Sequence, residues 1–280
     1  MKKIFAAFLF IWFMGCVLNP TRVNATSFFL WDDYGGTYYD AEKSASNTED
    51  DQMCWAASAA NLLAWSGWGY TAENSFASED DIFLYFQDHW TDAGGSVYFG
   101  LEWWFYGTNA SQGQSGWSQV DVAGGGFWTT DSLSDYFLFS SYDRYALGNI
   151  AYLIENGYGT SLGITDGSNG HAITAWGYEE DDGGNLTGIW VTDSDDGKNE
   201  DDPQNVLVYY DVLFDFASQS WYLQNFYGLN TYYITEVYGL SQSPYAAVPE
   251  PASMVLLGAG LIGLAGVCRR KRNPIHCREA

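Results

Sequence analysis

The sequence predicts an α+β domain, on three observations. The first is the run from Cys54 to Trp65, where only Ser58 and Asn61 are polar. A helix apolar on nearly every face belongs in the interior, and its alanines are strong helix formers that allow close approach by neighbours. The second is a pair of further helical stretches. Glu79 to Trp90 has apolar residues at 82–86, and Tyr145 to Asn156 has Leu147, Ile150, Ala151, Leu153 and Ile154 at helical spacing, closed by Gly157. The third is the succession of strand-like runs that follows, at 159–164, 171–178, 186–193, 205–214, 220–226 and 231–239. Thr26 to Asn47 reads as short strand and loop. Gly94 to Gly126, rich in Gly, Ser and Trp without a clear period, reads as an irregular, substrate-facing loop.

The two ends read differently from this domain. Lys2-Lys3, an apolar run from Ile4 to Met14 and the small residues around Ala25 are expected of a secretory signal peptide over 1–25. Cys16 offers a minor lipoprotein alternative, with Phe13 a poor fit. At the other end, Pro249-Glu250-Pro251 precedes an apolar stretch of 17 residues, Ala252 to Cys268, and then Arg269-Arg270-Lys271-Arg272. That length is the lower limit for a helix crossing a bilayer, and the basic cluster would stay cytoplasmic. The three features in order, over 249–272, resemble the PEP-CTERM sorting signal of Gram-negative bacteria. The resemblance implies handling by an exosortase-type membrane protease, and it makes 248–280 a sorting segment with a transmembrane-like helix and basic tail. The domain proper is then 26–247.

Of 35 acidic residues only Glu250 and Glu279 lie outside that domain, and of 11 basic ones only Lys43, Arg144 and Lys198 lie inside it. Its net charge is therefore about −30. Such a surface repels nucleic acid and anionic membranes, and it suits a soluble exported protein whose membrane contact runs only through the C-terminal segment. Four cysteines reduce to one in the domain, Cys54, so no internal disulfide forms there. A lone thiol in an oxidising compartment is a liability unless used. Placed at a helix start, it is biased toward thiolate by the unpaired N–H groups and the dipole. A base would come from His89 or His171, the domain's two histidines.

Gly170 to Gly177 and Ile189 to Asp195, around the turn Glu180-Asp181-Asp182-Gly183-Gly184-Asn185, read as a hairpin. A loop centred near Asp182 sets His171 opposite Asp193 with Cβ atoms roughly 5 Å apart, whereas a shift of one or two residues sets Ser194 or Asp195 there. Either carboxylate would fix the imidazole's tautomer and stabilise its charged form. Gly159-Thr160-Ser161-Leu162-Gly163 matches the nucleophile-elbow pattern, but a helix precedes and a strand surrounds Ser161, the reverse of what that motif needs. Asp193-Ser194-Asp195-Asp196-Gly197 resembles a calcium loop in outline with its glycine one place early; no metal or cofactor is assigned, and calcium stays open.

Cys54-Trp55-Ala56-Ala57-Ser58 resembles the run that opens the central helix of papain-like cysteine proteases. Three stretches together, Asp50 to Ala57, Gly170 to Gly177 and Val191 to Asp195, are similar to the streptococcal immunoglobulin-degrading (Mac-type) proteases of that class. The resemblance implies a papain-like cysteine protease fold: a central helix carrying the cysteine, packed against an antiparallel sheet carrying the histidine and aspartate. It implies Cys54 as nucleophile, His171 as base, Asp193 as the orienting residue and Asp195 in support. Tyr39-Asp40-Ala41-Glu42-Lys43 matches a Tyr-Asp-x-x-Lys run with one extra residue before the cysteine, which makes Lys43 the oxyanion candidate. The expected function is an exported cysteine endopeptidase acting on protein or peptide. Another papain-like thiol enzyme (a transglutaminase or amidase) and an inactive matrix or binding protein remain open. Trp103-Trp104-Phe105 reads equally as groove lining or core.

Overall fold

The computed structural model describes residues 25–44, 47–71, 76, 78–107, 119–141, 144–196, 206–229 and 232–245. The signal-peptide and sorting-tail readings, 1–24 and 246–280, lie outside the described residues, as do Gly197 and Lys198. Eight strands form one antiparallel sheet: β1 (Thr26–Phe29), β2 (Phe137–Ser141), β3 (Tyr158–Thr165), β4 (Gly170–Glu180), β5 (Leu186–Thr192), β6 (Val208–Asp215), β7 (Ser220–Leu223) and β8 (Tyr232–Ser241). Pairing runs β4-β3-β8-β7-β6-β5 and returns from β5 to β4, so six strands close on themselves. β1 adds to β4, and β2 adds to β8. This closed six-stranded antiparallel barrel with two extra strands corrects the expected papain-like α+β fold. The sheet is not an open surface facing a helical half; it removes its own edges by closure, and helices are few. The α+β expectation rested on local periods, and nothing local announces the long-range pairing of β3 with β8 that closure requires.

The helices among the described residues are α1 (Leu30–Tyr34), α2 (Cys54–Ser66), α3 (Glu79–Gln87), α4 (Val97–Tyr106) and α5 (Ala146–Glu155). α2 is buried along its whole length after Cys54, as its composition dictates. Its two polar residues are what join it to the sheet. Ser58 Oγ lies 2.7 Å from Ser161 Oγ and 2.9 Å from Thr174 Oγ1, two hydroxyls paired across β3 and β4, and Asn61 Nδ2 donates to Thr174 Oγ1 at 3.1 Å. Asn61 Oδ1 accepts the Ala41 N–H at 2.8 Å. A buried polar group without such a partner would cost about 1–3 kcal/mol, so these bonds fix how the helix lies on the sheet. Gly67, at φ +79°, ends α2 in the left-handed conformation that glycine adopts without strain.

Two apolar clusters result. One gathers α2, α3 and α4 around Trp55, Phe86, Trp103 and Trp104; the other joins α5 to Leu162, Ile173, Ile189, Val191 and Ile234 of the barrel. α4 was expected to be irregular. It is buried on most sides, so it carries no one-faced period to betray it. The last described residue, Tyr245, is pinned to the body: its ring stacks on Trp128 with centroids 5.5 Å apart, and its hydroxyl donates to Asp131 Oδ1 at 3.0 Å.

Candidate active site

The site lies where the start of α2 meets one end of the barrel. Met53 N–H closes a turn on Asp50 O, and Ala56 and Ala57 N–H close on Met53 O. The N–H groups between them, at Cys54 and Trp55, are first-turn donors without acceptors inside the helix. Cys54 is the free cysteine of the described residues and is half-buried. A cavity of about 580 Å³ opens beside it, walled by Cys54, Lys43, Gly95, His171, Asp195 and Glu236 among others.

His171 reaches this cavity from the first residues of β4. Its Nε2 lies 2.6 Å from Asp193 Oδ1, and its ring shares the cavity wall with the Cys54 thiol, whose titration it perturbs. With Nε2 given to the carboxylate, Nδ1 is the nitrogen left for sulfur. Asp193 is almost fully buried just past β5, and its other oxygen accepts the Tyr227 hydroxyl at 2.6 Å. The Asp195 N–H donates to Asp193 Oδ1 at 3.0 Å. The route to this contact differs from the expected one. β4 and β5 pair Thr174 with Thr192, two residues from the frame that sets 171 opposite 193. Asp193 therefore meets His171 diagonally from beyond the strand end, and Asp195 comes nearer as well, its Oδ2 3.8 Å from His171 Nδ1.

The electrostatics follow from these contacts. Burial pushes the Cys54 thiol up, but the hydrogen bond and charge of His171, helped by the charge of Lys43 and the Ala172 N–H, outweigh it and hold the thiol below its ordinary value. Burial alone would lower His171; the hydrogen bonds and charges of Asp193 and Cys54 reverse that and push it up to about 10. Burial raises Asp193, yet its bonds to His171, Tyr227 and the Asp195 N–H keep it below the ordinary carboxylate range. A thiolate–imidazolium pair backed by a carboxylate is the state this arrangement favours.

Lys43 is buried, 1% exposed. Its ammonium pairs with Asp195 and donates to Asp51 O at 3.1 Å, while its backbone N–H donates to Ser194 O at 3.1 Å. Those two contacts occupy two of the three ammonium protons. The remaining sequence candidates lie elsewhere. His89 bonds Tyr85 O through Nδ1 at 2.8 Å and packs tilted against the Tyr85 ring, and it is not part of the wall of the Cys54 cavity. Ser161 is fully buried in the α2–sheet seam. Trp103, Trp104 and Phe105 are fully buried core rather than groove. Tyr227, at φ +51° in the turn after β7, is the site residue that sequence reasoning missed; one tyrosine among 21 in the chain carries no local mark.

A second acidic group lies behind the first. Asp40, Glu42 and Asp196 bring carboxylate oxygens within 4.8 Å of one another. Burial, then the charges of neighbouring carboxylates, pushes Asp40 up to about 8 and Glu42 up to about 10.

No curated protein matches the chain. Among the described residues no helix is long and apolar enough to cross a membrane, and the apolar stretch from Ala252 lies outside them. Residues 247–272 match the PEP-CTERM protein-sorting motif, which implies recognition by the exosortase sorting machinery; by that mark the protein is exported and anchored to the cell envelope of a Gram-negative bacterium.

Proposed function

We propose that the protein is an exported thiol endopeptidase that hydrolyses peptide bonds through Cys54, His171 and Asp193. The observation that carries the reading is the convergence, on one cavity, of the domain's single thiol with an imidazole whose far nitrogen is held by a buried carboxylate. The motif runs that resemble the Mac-type proteases support the same chemistry; their fold and their immunoglobulin substrate are not carried over.

In this reading the Cys54 thiolate attacks the peptide carbonyl carbon, and the oxygen takes up the negative charge. The first-turn N–H groups of α2 and the third ammonium proton of Lys43 are the donors at hand for it. The tetrahedral intermediate collapses, the C–N bond breaks, and His171 gives its proton to the leaving amine. Water then loses a proton to His171, attacks the thioester and releases the acid, which restores the thiolate–imidazolium pair. Asp193, held by Tyr227, keeps the ring oriented throughout. The test is incubation of the purified protein with a peptide library, reading new termini by mass spectrometry. New N-termini that vanish with Cys54→Ala support hydrolysis. Amine adducts in place of new termini would point to acyl transfer, and a reactive thiol that yields neither would sink the enzyme reading.

A further inference from the structure

We propose that Asp40, Glu42 and Asp196 form a binding site for a hard divalent cation, calcium, that ties together the two segments behind the catalytic cavity. Asp40 is fully buried. Its Oδ2 accepts the Val206 N–H at 2.9 Å, but its Oδ1 has no hydrogen-bond partner. Both carboxylate oxygens of Glu42 are likewise buried without a partner. Among the described residues no basic side chain pairs with Asp40 or Glu42, because the one lysine near them, Lys43, spends its ammonium on Asp195 and Asp51. Unpaired buried carboxylates that converge are strongly disfavoured unless something positive sits between them.

The donor set selects the ion. Three carboxylates, all oxygen, without thiol or imidazole, suit calcium or magnesium and not the softer transition metals. Calcium accepts irregular oxygen geometry and fills its sphere with carbonyls and water, whereas magnesium demands a near-ideal octahedron. Extracellular calcium modules work at dissociation constants of about 10⁻⁴–10⁻³ M, a range suited to a protein marked for export.

The position gives the ion a structural task. Residues 39–43 lie against 192–196 through Thr192 Oγ1 to Tyr39 O (3.0 Å) and Lys43 N–H to Ser194 O (3.1 Å). Asp196 N–H closes a turn on Asp193 O at 3.1 Å. A cation held by Asp40 and Glu42 on one segment and Asp196 on the other would clamp the turn that presents Asp193 and Asp195. This holds whether or not the cavity hydrolyses peptides.

Thermal unfolding of the purified full chain, stripped with chelator and dialysed, tests the site without reference to activity. Calcium at about ten times its dissociation constant should raise Tm by about 3 °C or more. Asp196 is exposed, so Asp196→Asn leaves the fold intact and should abolish the rise; Glu42→Gln should reduce it. No rise up to 10 mM calcium, an equal rise with sodium chloride at matched ionic strength, or a full rise in Asp196→Asn would each overturn the proposal. The first of these would leave the pair of carboxyls neutralised by a shared proton.

Discussion

Cys54 and His171 are held by two regions built on different physics. Around Cys54 the helical layer is fixed by rings in contact. Trp55 meets Trp90 and Phe86 edge-on at 4.9 and 5.8 Å, and its indole N–H donates to Ala93 O at 3.0 Å. Gly95 and Gly100 approach it so closely that a Cβ on Gly95 would fall 2.5 Å from the indole. Around His171 the barrel end is fixed by charge and hydrogen bonds: Asp193, Tyr227 and the Asp195–Lys43 pair. The contrast assigns separate tasks. Shape packing sets where the thiol sits, and a polar network sets what protonation state faces it. A change in the first region should move stability, and a change in the second should move titration.

The largest expected effect is that of Cys54→Ala, which should abolish both thiol labelling within residues 26–247 and peptide cleavage while shifting Tm by no more than about 3 °C. His171→Ala comes next. In the native site the imidazolium holds the thiol pKa down against burial, which pushes it up. Removing the ring leaves the upward push, so the midpoint of iodoacetamide reactivity should rise, and the rate at pH 6 should fall at least about tenfold for each unit gained. Unchanged reactivity would break the assignment of polarity to the barrel end. Tyr227→Phe removes one hydrogen bond to a buried carboxylate, worth about 1.5–3 kcal/mol. We expect roughly a tenfold loss in kcat, with a shifted pH profile that a purely structural residue would not give. Gly95→Ala should do the opposite, destabilising by about 1–3 kcal/mol through the Trp55 clash while leaving the thiol midpoint in place. The smallest effect belongs to His89→Ala, for which neither labelling nor its pH dependence should move.

What the sequence exposed and what it hid follow the same division. α2 was legible because an apolar run with two polar interruptions has no other home, and the interruptions proved to be its anchors on β3 and β4. Strands β3 to β8 were legible from runs bounded by turn residues. Closure was not, since the pairing of β3 with β8 joins segments some seventy residues apart and leaves no local trace. The His171–Asp193 contact was foreseen from hairpin geometry, but in the wrong register, because the turn is centred near Gly183 rather than Asp182; the bulges between Ala175 and Gly177 and near Glu180 cancel each other. Asp40 and Glu42 entered only as members of the run that ends at Lys43; only the fold buries their carboxylates.

The stacking of Tyr245 on Trp128 has a consequence for where this protein works. Six residues, 246–251, separate that pinned ring from the apolar stretch beginning at Ala252, and a run of that length spans no more than about 25 Å. While the tail is attached, the body is on a short leash. It cannot search the surrounding fluid. Its encounters are confined to a thin shell above the envelope, so whatever it meets must arrive at, or already belong to, that surface.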